Sequence, residues 1–149
     1  YDLPFKGWSN IHLVSGGASY CDHIAVKLFL TYYDKGCKLT LHLPCNFVDD
    51  KYYDDGRYDW RVNPGKTANK YHQLFSQYME YNTLEEIQEA IDKGAEVKIY
   101  NGFHKRNIEI GKSKYMVAFS FSKDNKPTDG GTKYTWNHAI SKYKKHFTI

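Results

Sequence analysis

The chain is 149 residues long, 41% hydrophobic and 26% charged, which suits one globular domain with one core and excludes a disordered chain. No apolar run approaches the roughly 20 residues a membrane-spanning helix needs, so no membrane partner is expected. The net charge of +4, from 21 basic and 17 acidic residues, is too small an excess to argue for nucleic acid by itself.

The chain opens on Tyr1 rather than Met, with nothing nearby that reads as a signal peptide, which points to a chain trimmed at its front. Ile11 to Val14 is a short β-like run that stops at Ser15-Gly16-Gly17-Ala18. Tyr20 to Tyr33 reads as a helix, with Ile24, Ala25, Leu28 and Phe29 at helical spacing and Gly36 after its end. Lys38 to Leu43 alternates as a second strand, closed by Pro44. Residues 46–63, rich in Asp, Tyr and Gly, read as a long surface insertion.

Pro64 opens a helix carrying an apolar stripe of Tyr71, Leu74, Phe75 and Tyr78, a surface through which two copies could pair. Thr83-Leu-Glu-Glu86 has the pattern of a capping box and starts another helix, which Gly94 ends. Glu96 to Tyr100 is a third strand, and Phe103 to Lys114 is helical. Tyr115 to Phe121 is nearly continuous in apolar residues and reads as a central strand. Asp129-Gly130-Gly131-Thr132 opens a last helix to about Tyr143, with Lys142, Lys144 and Lys145 at its solvated end, and His146 to Ile149 forms a final strand. This alternation predicts an α/β fold: a single Rossmann-like domain over residues 1–149, with a mainly parallel sheet and helices on both faces.

Cys21, Cys37 and Cys45 are odd in number and match neither a disulfide framework nor a zinc site. They read as idle thiols of a reducing, cytoplasmic compartment. Seven histidines form no HxH or HExxH pair, so neither a metal nor another cofactor is expected. Trp60 stands five residues before Gly65-Lys66-Thr67, where a P-loop needs glycine, so that stretch is not a phosphate-binding loop of that type. Trp60 and the tyrosines Tyr52, Tyr53 and Tyr58 could form an aromatic lid over a base or pack within their own loop.

In such a sheet, ligands bind where strands run into helices, and three segments stand there. In the first, Ser15, Gly16, Gly17 and Ala18 precede a helix with Asp22 in its first turn; glycines admit a phosphate closely and the helix offers free N–H groups. In the second, Arg106 can clamp an oxyanion bidentately and Asn107 offers both a donor and an acceptor. In the third, Gly130, Gly131 and Thr132 repeat the logic of the first. Together they predict a cradle of two helix ends with a guanidinium between them.

Ser-Gly-Gly-Ala-x-x-x-Asp-x-x-Ala at 15–25, Phe-His-x-Arg-Asn at 103–107 and Gly-Gly-Thr at 130–132 resemble the SLOG superfamily, which includes DNA-processing protein A and the LOG nucleotide phosphoribohydrolases. The resemblance runs from about Asn10 to Ile149 and implies a Rossmann-like fold that binds nucleotides or nucleotide-derived ligands. It also implies a first strand with a glycine-rich turn ahead of Ser15, where this chain has only Tyr1 to Ser9. In the LOG enzymes a helix arginine and a glutamate three residues beyond the Gly-x-Gly-Thr segment serve cleavage of the N-glycosidic bond. Arg106 matches the arginine, whereas Thr135 stands in the place of the glutamate and cannot act as a base near neutral pH. Glu109, Asp22 and Asp129 are the candidate substitute carboxylates.

The leading expectation is therefore a module that binds a nucleotide, as a sensor or by sequestration. An N-glycosidase acting on nucleoside monophosphates through Arg106, Glu109 or Asp22 is the alternative. Single-stranded DNA binding is the weaker third reading.

Overall fold

The protein is described from a computed structural model over residues 6–149. Tyr1 to Phe5, the front of the stretch where the resemblance implies a first strand, lie outside the described residues.

The fold is mixed α/β, with five α-helices and seven strands among the described residues. Strand β1 (His12–Ser15) passes through a 3-10 turn (Tyr20–His23) into helix α1 (Ile24–Tyr32), a further 3-10 turn and Gly36, whose φ of 86° ends the helix in the left-handed region. β2 (Lys38–Leu43) pairs in parallel with β1 on one side and with β5 (Glu96–Ile99) on the other, in the order β1-β2-β5. As the middle strand, β2 is buried on both faces. Leu39, Leu41 and Leu43 enter the core with Val26 and Phe29 of α1 and with Ile87 and Ala90 of α3 (Thr83–Asp92). Thr40 and His42 point to the opposite face, where α4 (Phe103–Ile110) packs.

The insertion at 46–63 is partly ordered around a hairpin of β3 (Phe47–Val48) and β4 (Lys51–Tyr52). Its turn residues, Asp49 and Asp50, both take positive φ, the conformation a two-residue hairpin requires. The hairpin sends Tyr52 into the core at 2% exposure, so this ring is no part of a lid. Helix α2 (Pro64–Met79) follows. Tyr71, Leu74 and Tyr78 are exposed on it, while Phe75 packs against Tyr20 and His23.

Four sequence expectations are corrected. The cap of α3 is Asn82, whose side chain accepts from Leu84 N–H at 3.1 Å, because the hydroxyl of Thr83 is buried against His72 and Ser76. α4 stops at Ile110, since Gly111 is the point where the chain ahead of the last strand crosses: Ile140 N–H donates to Gly111 O at 3.0 Å. β6 (Tyr115–Ser120) is not central; among the described residues it pairs in parallel only with β7 (Tyr143–Thr148), with α5 (Gly130–His138) between them in sequence. α5 is correspondingly shorter than expected, so Lys144 and Lys145 lie in β7, with Lys142 just before it, and do not close a helix.

Candidate functional site

The carboxyl ends of β1, β2 and β5 deliver three turns to one place. Gly16 and Gly17 follow β1, Pro44 follows β2, and Gly102 leads from β5 into α4. Gly17 has a φ of 65°, and a side chain there would run into the Tyr52 hydroxyl and Leu43. A side chain on Gly16 would run into the Arg106 guanidinium. Both glycines are therefore demanded by close approach.

Two neighbours organise the turn. Ser15, fully buried, donates through Oγ to Asp22 Oδ2 at 3.0 Å and accepts from Gly17 N–H at 3.0 Å. Asp22 Oδ2 also accepts from Ala18 N–H at 2.8 Å. The first is a side-chain turn bond two residues on and the second reaches back from the 3-10 turn, and together they occupy two turn amides that the sequence suggests for a phosphate. Ser15 and Asp22 thus hold the loop's shape, and the hydroxyl of Ser15 is spent.

Behind the turn, Gly17 O accepts from the Tyr52 hydroxyl at 2.5 Å and from His72 Nε2 at 2.9 Å. That bond makes Nε2 the protonated nitrogen, so Nδ1 accepts from the Thr83 hydroxyl at 2.9 Å. Burial holds the His72 imidazole neutral, lowering its pKa to about 4. Burial also pushes the Tyr52 phenol well above its ordinary value.

Arg106 completes the site from α4. Its side chain is buried, at 8% exposure, and Nη1 donates to Gly16 O. Its Nε is buried with no partner among the described residues. Desolvation lowers its pKa, opposed by the nearby Asp22 carboxylate. The guanidinium borders a cavity of about 170 Å³ whose floor is the Gly16–Ser19 turn and whose walls include Pro44, Ala68, Tyr71 and Phe103. Thr67 adds a hydroxyl. None of the residues lining the cavity carries a carboxylate.

The third turn sits apart from this cavity. Asn107, buried beside Arg106 on α4, faces it: Asn107 Nδ2 lies 3.6 Å from where a side chain on Gly131 would begin. Gly130 has a φ of 64°, and Asp129 caps α5 without a side-chain hydrogen bond. Arg106 and Asn107 therefore diverge, one to the first turn and the other to the third, and Gly130, Gly131 and Thr132 do not line the cavity. Thr135 is buried and its hydroxyl donates to Gly131 O at 3.0 Å. Glu109 pairs with Lys112 at 2.7 Å, which lowers its pKa.

Three participants were not legible in the sequence. In sequence Pro44 marks only a strand stop and Tyr71 only a surface stripe, and His72 belongs to no motif at all. Of the thiols, Cys45 is half-buried and donates to Tyr53 O at 3.7 Å, with a pKa pushed up to about 11 by burial, so it is no nucleophile. No helix among the described residues is long and apolar enough to cross a membrane.

Among known proteins, no family model and no solved structure matches the chain. It is similar to an uncharacterized protein of Acanthamoeba polyphaga mimivirus, 40% identical over 129 residues that make up 85% of this chain. The chain spans 65% of the length of that relative.

Proposed function

We propose that this protein binds a nucleotide or nucleotide-derived ligand through its phosphate at the Arg106 cavity, as a sensor or sequestering module of SLOG type. The observation that carries this reading is the unpartnered Nε of Arg106, on a side chain more than nine-tenths buried at the cavity wall. A buried donor left without an acceptor costs about 1–3 kcal/mol, and more when charged, so an oxyanion supplied by a ligand is its natural partner. Nη1 already holds Gly16, which leaves Nε as the donor in want of an acceptor.

Position supports the same reading. The cavity lies at the carboxyl ends of the parallel strands β1 and β2, the end at which parallel α/β sheets bind ligands, and a Rossmann-like domain is part of this reading. The hydrolase alternative has no comparable support. Asp22 is committed to the turn, Glu109 to Lys112, and Thr135 to Gly131.

Calorimetric titration with a panel of nucleoside mono-, di- and triphosphates tests the proposal. Binding by the wild type is expected, with Arg106→Ala losing about 2–3 kcal/mol. Ala68→Leu, which fills the cavity and leaves Arg106 in place, is expected to block binding in a folded protein. Failure of the whole panel to bind, or unchanged affinity in folded Ala68→Leu, would remove the cavity as the site.

A further inference from the structure

The two-stranded β6–β7 sheet has one covered face and one open face. Side chains alternate along both strands, and the parallel register sets Tyr115 against Tyr143 and Phe119 against Phe147. Ala118, Ser120, Lys144 and His146 turn toward α5, with Lys144 donating to Trp136 O at 2.7 Å and His146 beside the Trp136 ring. The other set faces away: Val117 is 55% and Phe147 45% exposed, and Phe121, just past β6, is 84% exposed. On that face the aromatic rings form two cross-strand stacks, Tyr115–Tyr143 at 5.0 Å and Phe119–Phe147 at 5.5 Å.

Charge is concentrated on the same part of the chain. Residues 111–149 hold eight lysines against two carboxylates, Asp124 and Asp129, whereas residues 1–110 hold thirteen basic and fifteen acidic side chains. Three of these lysines stand over the face's own rings: Lys114 over Tyr115 at 5.3 Å, Lys142 over Tyr143 at 5.4 Å and Lys145 over Phe147 at 5.7 Å. Net charge over the whole chain conceals this division.

We propose that this open face is a stacking platform for single-stranded nucleic acid. Exposed rings offer flat surfaces to unstacked bases, and lysines at their margins meet the backbone phosphates. A wholly apolar cover, such as a helix of another protein, would have to desolvate Lys114 and Lys142 at the margins of the rings. A polyanion bearing aromatic rings satisfies both kinds of side chain at once. The inference is independent of the Arg106 cavity.

Fluorescence anisotropy with labelled oligo(dT) and oligo(U) of about 20 nucleotides tests it, with a duplex of equal length as comparison. Both single strands are expected to bind more tightly than the duplex, whose bases are already stacked. With about three phosphates neutralised, affinity is expected to fall roughly twentyfold between about 50 and about 200 mM salt. Phe121→Ala, which removes a ring outside the sheet, is expected to weaken binding about tenfold, and Lys145→Glu to weaken it and flatten the salt dependence. Absence of binding at low salt, equal binding of duplex, or indifference to both variants would overturn the proposal. So would a dimer by sedimentation that Val117→Lys converts to monomer, since the face would then be covered by a second copy.

Discussion

Arg106 and Gly16, 90 residues apart in the chain, meet through a hydrogen bond from Nη1 to the glycine carbonyl. The bond anchors α4 to the turn after β1 and fixes the direction in which the remaining side of the guanidinium points. Because a side chain on Gly16 would occupy the guanidinium's place, Gly16→Ala is expected to displace Arg106. A stability loss of about 1–3 kcal/mol in urea unfolding should accompany weakened ligand affinity.

Glycines elsewhere provide the contrast. Gly17 needs both its positive φ and the space beside Tyr52 and Leu43, so Gly17→Ala should cost more than Gly16→Ala. Gly130 has positive φ but nothing within 4 Å of an added Cβ, so Gly130→Ala should cost about 1 kcal/mol from backbone strain alone. Equal unfolding midpoints for the Gly17 and Gly130 variants would contradict this account.

Tyr52 and His72 share one acceptor, Gly17 O. Tyr52→Phe removes one donor and leaves the other, so a loss of about 1 kcal/mol is expected. Combining it with His72→Leu orphans a buried carbonyl. The double variant should therefore lose at least about 1 kcal/mol more than the two single losses together, as a double-mutant cycle would read.

His72 also sets a pH dependence. Its pKa is lowered to about 4 by burial, against about 6.5 in the unfolded chain. Above the unfolded value both states are neutral and the native state keeps its full stability. As pH falls from about 6.5 toward about 4, only the unfolded chain takes the proton, so stability drops by roughly 3 kcal/mol and then levels. His23 and His42, also lowered chiefly by burial, add in the same direction. Urea midpoints measured from neutral to acid pH should trace this fall, and His72→Gln should flatten part of it.

At α3, Asn82→Ala should cost about 1 kcal/mol as the loss of a cap. Thr83→Val should cost at least as much for a different reason: it leaves the buried Nδ1 of His72 without a donor. Thermal unfolding of the two variants distinguishes these roles, since adding a cap elsewhere in α3 would offset only the first.

What the sequence determined by itself was local. The glycine turn after β1, the alternation of β2, Pro64 at the head of α2 and Gly36 at the tail of α1 each depend on a few adjacent residues, and each formed close to where the pattern put it. The apolar run of β6 was equally clear, but its partners were not: continuous hydrophobicity says that a strand has apolar neighbours, not which strands supply them. Tyr52 reads as one more tyrosine in an acidic loop until the Asp49-Asp50 turn folds it back into the core. Arg106 and Asn107 are adjacent in sequence and so read as one group. Only the packing of α4 between two turns sends one to Gly16 and the other to Gly131, because neighbouring side chains on a helix point about 100° apart and tertiary contacts decide what each one meets.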